Sequence, residues 1–427
     1  MSTILDDLLE FVAEATTPFH AVSAMSLRLK AAGFQSWDGL SEYDFTPGQG
    51  YFVTRNDSSI IAFRVGDQPL SQGARLVGAH TDSPNLSVKP NPLKLRHGVA
   101  QLAVDVYGGA LLNPWFDRDL SLAGRLSFVT LEGQLKSELI DFKRPIAVVP
   151  SLAIHLDREA NSQRSINPQR DILPLLMGVD DDTTLDFKAL LATELGQQHP
   201  EYEGIEVLDF ELSFYDTQAP ALTGFNRDFI ASARLDNLLS CYVGLSALID
   251  AISTQWSFLI CTDHEEVGSA STAGALGPML TDVLKALSLD DRAERAARNR
   301  SLMMSVDNAH AIHPNFSDKH DENHGPLLNH GPVIKINRNQ RYATSGEGAA
   351  LTRLLAERAG VPVQTFVVRT DLGCGSTIGP ITAAETGIPT IDIGVPTLAM
   401  HSIRELAGAK DPDFLKQLLV AFYNRVA

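Results

Sequence analysis

Cysteine is scarce, with three residues in 427, at positions 241, 261 and 374. They form no C-x-x-C pair, and each lies in or beside an apolar stretch. A disulfide framework is therefore not expected, and a reducing compartment fits the chain better. Basic charge is also short: 35 Lys and Arg stand against 52 Asp and Glu, a formal net charge of −17. That balance argues against nucleic acid or an anionic membrane surface as a partner, since both require a basic footprint. No apolar run approaches the ~20 residues that span a bilayer. The opening residues, ILDDLLEFVAEA, lack the basic flank and apolar run of a signal peptide, so a cytoplasmic protein is expected. Also missing are a Gly-x-Ser-x-Gly elbow, a His-Glu-x-x-His pair and a phosphate loop ending in Gly-Lys-Ser/Thr. Serine-hydrolase, single-zinc protease and common NTPase chemistry thus have no motif behind them.

What is present reads as an ordinary globular composition, 44% hydrophobic and 20% charged, in a chain long enough for two domains. Amphipathic helices are expected over Thr3–Ala15 and His20–Ala32. Buried strands are expected over Ala74–Ala79, Phe258–Cys261, Leu302–Val306, Thr365–Val368 and Thr390–Ile393. Helical patterns alternate with them over Asn237–Ile252, Ala273–Ala286, Gly348–Arg358, Thr377–Thr386 and Asp413–Val426. Such alternation predicts an α/β fold with a mostly parallel sheet. The middle differs: VAQLAVDVYGG, GRLSFVTLEGQL and VLDFELSFYD alternate with period two, interrupted by one helical run near Phe187–Glu194. We therefore expect residues 1–90 and 226–427 to form one domain and 91–225 a β-rich domain inserted into it.

Ligands of open α/β sheets gather beyond the carboxyl ends of the strands. Several predicted strands run into metal-binding residue types there: RLVGA into His80-Thr81-Asp82, FLIC towards Asp263-His264-Glu265-Glu266, LMMSV into Asp307, and TIDIGVPTLAM into His401. Asp236 precedes a helix, where its plain reading is an N-cap. Each signal alone is weak, but imidazoles and carboxylates repeated along one sheet edge suit zinc, cobalt or manganese. Two such ions ~3.5–4 Å apart commonly share a bridging carboxylate. In the adjacent pair Glu265-Glu266, one carboxylate suits a ligand and the other a free base.

These motifs resemble the aspartyl aminopeptidase family of dinuclear-zinc exopeptidases. The matching segments are FVAEATTPFHAV, GAHTDSP, LAIHLDRE, SARLDN, HEEVGS, SVDNAHAIHPNFSDKHDENHGP, IKINRNQRYAT, CGSTIGP and GVPTLAMHSIRE, in order along nearly the whole chain. The resemblance implies an α/β peptidase domain with an inserted β-rich oligomerisation domain. It implies two zinc ions per chain, with cobalt or manganese as possible substitutes, held by His80, Asp236 (bridging), Glu266, Asp307 and His401. Glu265 would be the general base, and Asp82 would orient the His80 imidazole from behind. It further implies hydrolysis of the first peptide bond of peptides, with acidic N-terminal residues preferred and Lys335 as their counter-charge. A homo-oligomer follows, a dodecameric shell built from dimers, in which His155 reaches a neighbouring copy's site. Leu372-Gly373 before Cys374 departs from the family pattern, where a proline is expected.

Other readings keep less of the chain. Gly373-Cys-Gly-Ser-Thr-Ile-Gly379 invites a nucleotide site, but its glycine spacing is wrong for a dinucleotide fingerprint and too little chain follows it. A two-metal deacylase, or a silent shell protein of the same fold, would share the ligand residues. The histidines 310, 313, 320, 324 and 330 lie in a Pro- and Gly-bearing stretch, expected as a loop over the site and not as a second metal site.

Overall fold

A computed structural model describes residues 4–41, 43–180, 183–252 and 254–425. Thr3 and Val426, the outer ends of two expected helices, lie outside the described residues. The chain divides into two compact units.

The first unit comprises Met1–Ser83, Pro220–Met400 and Glu405–Ala427. Its centre is a nine-stranded mixed sheet whose middle strands are, in order, Ser59–Arg64, Trp256–Thr262, Ala74–His80, Leu302–Val306 and Thr390–Gly394. The last four of these run parallel, and Ser59–Arg64 pairs antiparallel with Trp256–Thr262. Both faces are covered, which is why these strands read as near-continuous apolar runs. Along Trp256–Thr262, Phe258 and Ile260 enter one apolar cluster while Leu259 and Cys261 enter the other. Each fully buried side chain of this size contributes about 1.5–3 kcal/mol. Helices Ile4–Glu14, Pro18–Ala31, Leu235–Asp250 and Asp411–Tyr423 supply much of the cluster around Leu259. A second, five-stranded sheet in this unit joins Ala221–Thr223, Phe229–Ser232, Glu405–Gly408, Pro396–Leu398 and Ala309–His310.

The second unit comprises Pro84–Ala219 and His401–Arg404. It holds a six-stranded antiparallel sheet, the longest pairing joining Leu120–Val129 to Glu206–Asp216. Helix Phe187–Gln198, capped at Asp186, packs Phe187, Leu191 and Leu195 into its core.

Several expected elements differ in extent. The helix expected from Ala273 begins only at Met279. A Cβ on Gly274 would stand 2.2 Å from the Ser269 carbonyl oxygen, and one on Gly277 2.5 Å from that of Ser271, so this stretch folds back tightly on itself. Helix Asp291–Arg300 carries no expected apolar stripe, and it buries only Ala297.

Candidate metal centre

Three adjacent parallel strands end at one edge of the central sheet. His80 closes Ala74–His80, Asp307 follows Leu302–Val306, and Glu265 and Glu266 form a 3-10 turn just after Trp256–Thr262. Asp236 reaches the same place from the first turn of Leu235–Asp250. It is not the helix cap: Arg234 occupies that position, and Asp236 itself has non-helical φ/ψ of −83° and 105°. Its backbone is held from two sides, its N–H donating to Glu405 Oε2 (2.9 Å) and its carbonyl accepting from Ser83 Oγ (2.6 Å).

The donor atoms of His80, Asp236 and Asp307 lie within 4.8 Å of one another, as do those of His80, Glu265 and Glu266. His80 Nε2 stands 3.4 Å from Asp236 Oδ1 and 3.6 Å from Asp307 Oδ1. Donors ~2.0–2.2 Å from one tetrahedral zinc stand ~3.3–3.6 Å apart, so these spacings are those of co-ligands. The other ring nitrogen is committed behind: Nδ1 lies 3.0 Å from the Asp82 carbonyl oxygen and 3.3 Å from its Oδ1. That fixes the tautomer and leaves the Nε2 lone pair for a metal.

Asp82 does more than orient the imidazole. Its Oδ1 accepts the Glu265 N–H and its Oδ2 the Glu266 N–H, both at 3.0 Å. One carboxylate thus sets the position of His80 and of the whole Glu265-Glu266 turn. Its place two residues beyond a strand-end histidine is legible in sequence; the grip on the turn is not.

Electrostatics follow from crowding. Burial pushes Glu265 up to about 7, with Asp307, Asp236 and Asp82 adding to the rise and His80 opposing it. Burial alone would lower His80, but Asp236, Asp307 and Asp82 together hold it well above the usual imidazole range. Four carboxylates around one imidazole form a donor set that calls for a cation, and its hard, mixed N/O character suits zinc, cobalt or manganese.

Lys335 is buried at the end of strand Val333–Lys335. It is 2% exposed, and its Nζ donates to Asp307 Oδ2 (3.2 Å) and the Asn308 carbonyl (2.9 Å). The Tyr342 ring lies 5.2 Å from the ammonium. Nearby, a cavity of about 300 Å³ is lined by His310, His313, Lys319, His320, Phe366 and Arg369, among others. Burial lowers His310, and Lys335 lowers it further, while Asp236 and Asp307 act in the opposite sense.

The remaining two sequence candidates belong to the second unit. His155 lies exposed in an irregular stretch between Leu152 and Leu156, which are 58% and 75% exposed. His401 Nδ1 lies 3.1 Å from the Gly109 carbonyl oxygen.

The family described as "Aminopeptidase I zinc metalloprotease (M18)" matches residues 11–423. "Probable M18 family aminopeptidase 2" of Ectopseudomonas mendocina (strain ymp) is 56% identical over 422 residues, covering 99% of this chain and 98% of its own. Among solved structures, the one titled a complex of Ape4 and Nbr1 superposes with a TM-score of 0.94 at 37% identity, covering 99% of this chain and 85% of that one. The mApe1 dodecamer of S. cerevisiae gives 0.84 at 28% identity, covering 98% and 96%.

Proposed function

The chain belongs to the M18 family of aminopeptidases, zinc metallo-hydrolases of peptide bonds, and from that premise we propose a dinuclear-zinc enzyme that releases acidic residues from peptide N-termini. The observation that carries the reading is the co-ligand spacing around His80 Nε2, 3.4 Å to Asp236 and 3.6 Å to Asp307. His80, Asp236, Glu266, Asp307 and His401 would hold the ions. Bound there, zinc supplies Lewis acidity, lowering the pKa of a water and polarising the scissile carbonyl. Cobalt or manganese would serve the same donors.

Glu265 is the proton carrier. Its carboxylate takes a proton from the attacking water and returns it to the leaving amine, a role suited to a group tuned towards neutrality. Asp82 holds that carboxylate in place through the Glu265 N–H and keeps the His80 imidazole aligned. Lys335 has three N–H donors, two of them spent on Asp307 and Asn308. The third, with the cations Lys319 and Arg369 in the lining of the cavity, favours a carboxylate on the first residue of the substrate.

We assign the assembly as a homo-oligomer, a dodecameric shell like the one named for mApe1. The apolar surface at Leu152, Ile154 and Leu156 suits cover by another copy, with His155 completing that copy's site. Three free cysteines accord with a cytoplasmic location. Among the described residues, no helix is long and apolar enough to cross a membrane.

Residue release from an aspartyl peptide, its N-acetylated form and a leucyl peptide tests this, each with and without a chelator. The free aspartyl peptide should be cleaved fastest, the acetylated one not at all, and activity should return at two zinc ions per chain. Lys335→Met should lose more on the aspartyl than on the leucyl peptide. Cleavage of the acetylated peptide, or full activity at one zinc per chain, would sink the reading; equal losses would remove Lys335 from the pocket.

A further inference from the structure

One cavity of the peptidase unit is lined by other residues than the metal cluster. It is a groove of about 770 Å³ between helices Ile4–Glu14, Pro18–Ala31 and Leu235–Asp250. Each helix gives it one face at helical spacing. From the first come Asp7, Glu10 and Glu14, a stripe made entirely of carboxylates. The second gives Ala24, Leu27, Arg28 and Ala31, and the third Tyr242, Leu245, Ser246 and Ile249. Residues at i, i+3, i+4 and i+7 share a face, so the groove is three helices around a place for a fourth.

The lining states what that fourth helix would be. Its floor is apolar, and Leu27 stands 63% exposed beside it. One wall is acidic: three carboxylates face a single guanidinium, Arg28, which pairs with Glu14 at 2.7 Å. Asp7 is drawn to the Tyr242 hydroxyl, and Glu10 is exposed on the rim. Small residues, Ala24 and Ala31, leave room for a helix backbone to approach.

We propose that this groove is a docking site for a cationic amphipathic helix of a partner protein. The partner's apolar stripe lies on Leu27, Ala31 and Ile249, and its Lys or Arg flank meets Asp7, Glu10 and Glu14, the helix-in-groove mode of recognition. About three to four turns fit, since Ile4–Glu14 has 11 residues and Pro18–Ala31 has 14. The proposal is independent of the reaction assigned above.

The test uses the zinc-loaded full chain and fluorescence anisotropy of a labelled synthetic peptide of roughly four turns. That peptide carries Leu at i, i+3, i+4 and i+7, with Lys along one flank. Controls are a scramble of the same composition and a version with Glu for Lys. Binding should be saturable, weaken with salt, and fall roughly tenfold or more in Glu10→Lys and in Leu27→Asp. Glu132→Lys, an exposed charge reversal on the inserted unit, should leave it unchanged. Glu10 is exposed, so that variant keeps the test intact if Leu27→Asp fails to fold. Equal binding of the scramble, or equal effects of Glu10→Lys and Glu132→Lys, would reduce the attraction to the overall negative charge and overturn the proposal. A change of sedimentation mass in Leu27→Asp would instead make the groove a contact between copies, and overturn it equally.

Discussion

Glu265 is the residue on which the chemistry and the pH behaviour meet. In the metal-free protein its folded value, about 7, lies above the ordinary 4.5 because burial and neighbouring carboxylates penalise its charge. The folded state therefore holds the proton more tightly than the unfolded chain, and stability is lost as pH rises through that window. His80, also raised, acts in the same direction. The melting temperature of chelated protein should fall between about pH 5 and about pH 8, and more steeply than in the zinc-loaded enzyme. Glu265→Gln removes one titrating group, so its chelated form should show a shallower slope. The same variant should keep its zinc while turnover drops by roughly 10²–10⁴-fold, the scale of general-base loss. Thermal scans and metal analysis check both; retained turnover would leave Glu265 without its role.

At the scale of elements, the site is a consequence of strand ends, and one close approach makes this testable. Strand Thr390–Gly394 pairs with Leu302–Val306 through Val306 and Ile393, and Gly394 then passes the Asp307 backbone. A Cβ at Gly394 would stand 1.7 Å from the Asp307 carbonyl oxygen. Gly394→Ala should cost about 1–3 kcal/mol, the range for overpacked cores, and should weaken zinc binding by displacing Asp307. Denaturant unfolding and zinc titration read the two effects, and an unaltered zinc affinity would separate Asp307 from that strand. The strands that carry His80 and Asp307 were legible because burial on both faces leaves unbroken apolar runs such as RLVGA and LMMSV. Asp291–Arg300 was not, since a helix burying only Ala297 has no apolar period to read. Nor was the burial of Lys335, because the two partners of its ammonium, Asp307 and Asn308, lie on another strand's end. Asp236 looked like a cap for a related reason: the bond that turns its backbone out of the helix comes from Glu405, far along the chain.

For the whole molecule, the inserted unit and its exposed Leu152, Ile154 and Leu156 direct attention to assembly. Sedimentation should give a mass near twelve times the 46.3 kDa chain, as the dodecamer of mApe1 leads one to expect. His155→Ala should keep that mass and lose turnover, whereas a fully active variant would free His155 from any catalytic part. The order of the clustered residues along the chain has a further consequence, for biosynthesis. His80 is made early, Glu265 and Glu266 much later, and Asp307 later still. A polypeptide emerging from the ribosome cannot gather the His80, Asp236 and Asp307 group until nearly three quarters of it has been translated. A fragment that ends before Asp307 therefore lacks part of that group.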